Sequence, residues 1–378
     1  MTDRWRLVAA ALLGLRALVA LYVAYDGAAK SPDFDRFWSI ASSPAAPYVA
    51  YRVEYTPFAV GLFKAIAPVA RGRVAFGRAM VTIAFAADVA AAATLAEVFG
   101  WQAASLYLLA TLPLLNLFYN RFDLVPTAAA VVAVAALHRQ RRLASAAALL
   151  TGVAFKLWPL PLSALYLGDP RSPVRRQHVA PLVIGGVAVG LTWLALAGAR
   201  GTVQVVTFRG ASGWQVETLV GNLIALRSHQ TLRYELNAFR VGVISSAAIV
   251  AWLTIGMEVA FALAWLGARS RQIGATWLCS IGALLMLSPL FSPQFMAWIA
   301  PGAAFAWIEG NRWPAALAIA SEVLTALFWA HYDGVIMGSR WELVVTARNA
   351  VLCVMVITAI APIVRAWRNR QRGGQETA

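Results

Sequence analysis

Acidic residues are scarce in this chain, with 17 Asp and Glu against 32 Lys and Arg among 378 residues. Charged residues together make up 13% of the sequence, about half the share usual in a soluble domain. Cysteine is nearly absent. Cys279 and Cys353 both fall inside apolar runs, which leaves no disulfide framework and no cysteine-based zinc site. Lysine occurs only at Lys30, Lys64 and Lys156, so arginine carries almost all the positive charge.

Hydrocarbon is abundant instead. Hydrophobic residues make up 60% of the chain, and the mean hydropathy is +0.66. Apolar runs of roughly 18 to 25 residues recur throughout, the length needed to cross about 30 Å of bilayer core. The expected fold is all-α, a polytopic membrane protein with about 10–12 transmembrane or re-entrant helices. The first run, from about Leu7 to Tyr25, follows Arg4 and Arg6 as a signal peptide would. It is longer than a signal's apolar region and lacks a small-residue cleavage site after it, so it reads as a retained helix.

A net charge of +15 in a soluble protein would point to nucleic acid. Here it reports topology, because cytoplasmic loops collect Lys and Arg, and no nucleic-acid partner is expected. Basic clusters at Arg4/Arg6, Arg71/Arg73, His138 to Arg142, Arg171/Arg175/Arg176, Arg269/Arg271 and Arg365 to Arg372 mark one face. Asp26, Asp33, Asp35, Glu54, Asp123, Glu217, Glu235, Asp333 and Glu342 mark the other. The pattern predicts a multi-pass protein of the plasma membrane with both termini cytoplasmic. One transmembrane domain is expected over residues 1–366, with external loops at 26–55 and 199–240 and a basic tail at 367–378. Two stretches break the alternation. Either 56–70 does not span or 74–98 folds back, and 143–167 lies between two basic clusters. That second stretch is interrupted at Lys156-Leu157-Trp158-Pro159-Leu160-Pro161, where proline removes backbone donors and favours a pair of half-helices.

The first external loop holds the most concentrated polar chemistry. Asp33 and Asp35 stand among Phe34, Phe37, Trp38, Tyr48, Tyr51 and Tyr55, aromatics that would seat the segment at the membrane interface. A carboxylate held there is partly desolvated and is a competent proton acceptor. At the external end of two later spans, Arg121 would hold a lipid phosphate and Asp123 would orient it or bond a sugar hydroxyl, with an interfacial pair capping the helix ends as the competing reading. Lys156, an intramembrane cation, is a site candidate by default, with a buried structural Lys–carboxylate pair as the competing reading. In Arg209-Gly210-Ala211-Ser212-Gly213-Trp214-Gln215-Val216-Glu217, Trp214 would stack on a pyranose ring while Gln215 and Glu217 bond hydroxyls, with a plain interfacial turn as the competing reading. Gln294 and His331 sit at further external helix ends. Asp88, Glu258 and Glu322 fall within spans and read as interhelical hydrogen-bonders.

Taken in order, these segments resemble a known family. Asp33-Phe34-x-x-Phe37 is followed by Glu54-Tyr55-Thr56-Pro57, Arg121-Phe122-Asp123-x-x-Pro126, Gly152-x-x-x-Lys156-x-x-Pro159 and Ser292-Pro293-Gln294-Phe295. The series is similar to the GT-C glycosyltransferases of family 87, polyprenol-phosphate-mannose-dependent mannosyltransferases and their arabinosyl relatives. The resemblance covers about residues 1 to 365 and rests on the order of short motifs. It implies inverting, metal-independent transfer outside the cytoplasmic membrane, with no cofactor and a polyprenyl-phosphate sugar as donor. It places the general base at Asp33, with Asp35 as runner-up. Thr56 departs from the family pattern, where proline is usual, and Phe37 stands where tyrosine is frequent.

The chemistry that the resemblance implies is physically coherent with the residues present. A lipid phosphate is a good leaving group, so the site needs one base for the acceptor hydroxyl and fixed positive charge at the phosphate. Arg121, Lys156 and Arg209 are the candidates for that charge. The resemblance implies mannose in preference to arabinose as the sugar and a glycolipid or polysaccharide as the acceptor. A transporter or flippase of a lipid-linked saccharide is the rival reading. It would require inverted repeats with broken helices in matching positions, and the chain shows one such break.

Overall fold

Apolar helices make up nearly all the regular structure in the computed structural model, which describes residues 2–167, 174–207, 213–228, 232–235, 238–330, 332 and 341–375. The chain is an all-α polytopic membrane protein. Among the described residues six helices are long and apolar enough to span: Asp3–Lys30, Arg73–Phe99, Val179–Thr207, Ser246–Ala268, Arg312–Ala330 and Trp341–Asn369. Trp101–Ala110 and Leu112–Tyr119, bent by 41° at their junction, form a seventh if taken as one span. Four shorter apolar helices accompany them, at Pro57–Ala70, Leu124–His138, Arg142–Phe155 and Ile273–Leu287. The chain divides into two compact units, residues 1–160 with 177–208 and residues 161–176 with 209–378.

The first unit opens with α1 (Thr2–Tyr22), prolonged by a π-helical turn at Val23–Gly27 and a last turn at Ala28–Lys30. The helices α2 (Pro32–Ser42), α3 (Pro57–Ala70) and α4 (Arg73–Phe99) follow. Arg73, at the start of α4, ion-pairs with Asp35 of α2 and donates to the carbonyls of Ala28 (2.9 Å) and Ala29 (2.8 Å) at the end of α1. The chain therefore returns after α3 to the face it left, so α3 does not cross and α4 does. Arg73 is thus on the acidic-loop face, not on the opposite face where its basic character alone had placed it. The turn is built from Arg71 (φ 52°) and Gly72 (φ 141°).

Gly100 (φ 90°) turns the chain into α5 (Trp101–Ala110), and a 3-10 turn at Leu112–Leu114 bends it into α6 (Leu115–Tyr119). Pro113 lacks the N–H that a straight helix would need there. The helices α7 (Leu124–His138) and α8 (Arg142–Phe155) form a hairpin whose turn carries Arg139, paired with Glu97 at the end of α4. Phe99 and His138 pack beside it with ring centroids 5.0 Å apart. These contacts fix the far end of the unit. The helix α9 (Val174–Thr207) breaks at Gly198 (φ 66°), so residues 199–207, expected in a loop, are helical.

Inside this unit the fully buried Arg16 of α1 meets the fully buried Asp88 of α4 at 2.6 Å. Arg16 also donates to the Leu108 carbonyl and the Thr111 hydroxyl, each at 2.5 Å, and Asp88 accepts from Tyr107 (2.7 Å) and Tyr119 (2.8 Å). A charge pair in hydrocarbon survives only when paired and hydrogen-bonded in this way.

In the second unit, strands β1 (Trp214–Gln215), β2 (Arg233–Glu235) and β3 (Ala238–Val241) form a small antiparallel sheet ordered β1-β3-β2. The helix α10 (Leu219–Ser228) lies between the first two strands in sequence. Then come α11 (Ser246–Ala268), α12 (Ile273–Leu287), a 3-10 turn at Pro293–Trp298, α13 (Ala300–Ile308), α14 (Arg312–Ala330) and α15 (Trp341–Gln375). The 3-10 turn at Pro293–Trp298 is joined to the nine-residue α13, too short to cross the bilayer alone. Of the two remaining intramembrane acids, Glu322 is fully buried on α14, whereas Glu258 is exposed on α11 and bonds no other helix among the described residues. Neither carboxylate oxygen of Glu322 is hydrogen-bonded among the described residues, so the interhelical role expected for Glu258 and Glu322 is not found.

Candidate functional site

The helix α2 separates the two loop acids. Ser31 is extended, Pro32 occupies the first turn, and Asp33 and Asp35 follow where the helix dipole favours carboxylates. Residues two apart on a helix point to different sides. Asp33 accordingly turns inward beside Phe34 and Phe37, and Asp35 turns outward with 59% of its side chain exposed.

Asp33 forms an ion pair with Arg121, from the turn between α6 and α7. Arg36, three residues on, pairs with Glu54 at the end of the loop. Asp123 begins α7, is buried, and accepts from Lys156 Nζ at 2.6 Å. Lys156 is the extended residue (φ −159°, ψ 134°) that ends α8, three residues before Pro159. Acid loop, inter-helix turn and helix break thus converge on one end of the first unit. Only Phe122 separates Arg121, the cation of the first pair, from Asp123, the acid of the second.

The aromatic residues form the floor of this cluster. Phe37 stacks on Phe63 at 4.9 Å and meets Tyr55 edge-on at 5.4 Å. Phe63 meets Phe122 at 5.7 Å, and Phe122 meets Phe155 at 5.4 Å. Trp38 packs on Phe76 at 5.6 Å. Phe34, Phe37 and Tyr48 are buried in protein, so these three pack the core and are not membrane-interface anchors. The rings hold α2 and α3 against α4, the turn before α7 and the end of α8, which fixes where Asp33 and Arg121 meet.

The second unit contains a separate polar cluster. Trp214 is buried, edge-on to Trp252 at 5.5 Å, within a core that includes Val216, Ile249, Phe328 and Trp341. Its ring braces the sheet and offers no open face for a pyranose. Gln215 accepts from the Phe291 amide at 3.1 Å. Glu217 is buried, accepts from the Tyr332 hydroxyl at 3.3 Å, and its own carbonyl accepts from Arg348 at 2.5 Å. Burial pushes the Glu217 carboxyl up to about 7, against the opposing influence of Arg348 and its hydrogen bonds. The Arg348 guanidinium lies 3.9 Å over the Phe291 ring. Gln294 is buried and accepts from Ser292 at 2.5 Å.

Arg209 and His331 lie outside the described residues. Arg73, Tyr332 and Arg348 were not among the sequence candidates. The signal for Arg348 was present, an arginine beside Asn349 within an apolar run. Arg73 was hidden by its neighbour Arg71, which made the pair look like a cytoplasmic cluster. No family model matches the chain, and no curated protein matches it.

Proposed function

We propose that this protein is a membrane glycosyltransferase. It moves a sugar, mannose in preference to arabinose, from a polyprenyl-phosphate donor to a glycolipid or polysaccharide acceptor on the extracytoplasmic face, with inversion and without a metal. The observation that carries the reading is the paired arrangement Asp33–Arg121 and Asp123–Lys156, two acids and two cations brought to one end of the first unit from three separate segments. The ordered motifs similar to family 87 of the GT-C glycosyltransferases add to it.

In this reaction the acceptor hydroxyl oxygen attacks the anomeric carbon as the bond from that carbon to the phosphate oxygen breaks. The bonding electrons leave with the phosphate, and the hydroxyl proton goes to Asp33. Arg121, which holds Asp33 in the resting protein, turns its charge to the departing phosphate. The phosphate thereby replaces Asp33 as counter-ion and leaves the carboxylate to take the proton. Lys156 adds a second positive charge, and charge placed where the leaving group develops its own is an effective catalytic device. Asp123 orients Lys156. Asp35, outward and held by Arg73, is less suited to this role.

Membranes carrying the protein, supplied with polyprenyl-phosphate-linked radiolabelled sugars and extracted lipid acceptors, test the reading. Transfer of label that is lost in Asp33→Asn and kept in Asp35→Asn supports it. No transfer from any such donor defeats it, and label crossing the bilayer without a new glycosidic bond supports the transport reading.

A further inference from the structure

Thr56 joins the acid loop to the helix that presents Lys156, and does so through one hydroxyl group. It precedes α3 in an extended conformation, and its Oγ1 accepts from the Ala59 amide at 3.3 Å as the N-cap of that helix. The same hydroxyl donates to the carbonyl of Phe155 at 3.2 Å. Phe155 is the last residue of α8, where carbonyls have no partner within the helix. The next residue is Lys156. Thr56 is buried, 3% exposed, so water does not readily replace the bond. Two residues earlier, Glu54 pairs with Arg36 of α2, the helix that carries Asp33.

We infer that Thr56 is a positioning residue that sets the height and direction of Lys156 for an anionic headgroup, here the donor phosphate. The inference rests on the proposed transfer reaction for its consequence, but the strut itself is independent of that reaction. A proline at this position, the residue usual in the similar family, has no hydroxyl and makes neither bond. Valine keeps the shape and removes both bonds, and serine restores both. The cap and the strut act on different segments: loss of the cap frees residues 57–60, and loss of the strut frees residues 155–157, where the Lys156 amide donates to the Gly152 carbonyl at 2.9 Å.

The test uses full-length protein in nanodiscs as wild type, Thr56→Val and Thr56→Ser. Hydrogen exchange is expected to quicken at residues 155–157 in Thr56→Val and to return to the wild-type rate in Thr56→Ser. Binding of a sugar-free polyprenyl phosphate is expected to weaken roughly fivefold in Thr56→Val, the equivalent of about one neutral hydrogen bond. Donor KM should rise by a similar factor while kcat stays within about twofold, and Thr56→Ser should restore both. Unchanged exchange at 155–157 overturns the strut. Quickened exchange with unchanged donor KM and unchanged lipid-phosphate binding overturns the positioning role. A wild-type protein that neither binds the lipid phosphate nor transfers sugar defeats the transferase reading, and the exchange result then decides the strut by itself.

Discussion

Arg73 holds Asp35 from 38 residues further along the chain, and that ion pair fixes the path of the backbone between them. Both groups must lie on one face of the bilayer, so the apolar helix Pro57–Ala70 dips and returns. Single cysteines at Ser43 and Arg71 should be labelled by an impermeant maleimide from the same side, and a cysteine at Gln140 only from the other. Labelling of position 71 from the side of position 140 would remove this topology.

Asp33→Asn should lower transfer by about 10²- to 10⁴-fold, the usual contribution of a general base. Asp35→Asn should leave transfer within a fewfold of wild type, because Asp35 faces outward and Arg73 keeps its carbonyl partners. The comparison is read from initial rates of radiolabel transfer at saturating donor.

The buried Arg16–Asp88 pair predicts a non-additive pattern in stability. Arg16→Leu alone leaves Asp88 charged in the core and should cost about 3–5 kcal/mol. Arg16→Leu combined with Asp88→Leu should cost less than Arg16→Leu alone. Thermal melting in detergent of the two single variants and the double variant measures the coupling.

Glu217 predicts a pH dependence of stability. Burial raises its carboxyl to about 7 from an ordinary 4.5, so the folded protein keeps a proton that the unfolded chain has released between those values. The resulting stabilisation is complete below the unfolded value and is lost as pH rises through the folded one. The melting temperature should therefore fall from pH 5 to pH 8, by the equivalent of roughly 3 kcal/mol at most. Glu217→Gln should flatten that slope, and an unchanged slope in the variant would assign it to another group.

The membrane class and most span positions were legible because hydrocarbon thickness imposes a length on any crossing helix. The inward position of Asp33 relative to Asp35 was not legible, because the segment read as a loop and helical spacing separates the two acids only once α2 forms. The aromatic residues were harder to read. Phe34 and Phe37 suit a lipid interface and a protein core equally well, and only the presence of Phe63 and Phe76 opposite them decides for the core. Arg73 could not be placed by counting charges, because an arginine that serves as counter-ion to an acid belongs with that acid. Trp214 looked like a sugar platform because a sequence shows a ring without showing what already covers it.

The helix Arg142–Phe155 has 14 residues and so rises only about 21 Å from the end of the unit marked by Arg139 and Glu97. The helix Leu124–His138, which carries Asp123 at its start, is nearly the same length. Measured from that end, the Lys156–Asp123 pair falls roughly 9 Å short of the far edge of a 30 Å hydrocarbon slab. Hydrophobic mismatch of this kind is relieved by thinning the bilayer around the short helices. A lipid headgroup drawn to Lys156 would then sit below the mean headgroup plane, in a local dimple of the membrane, while its tail stays in ordinary hydrocarbon.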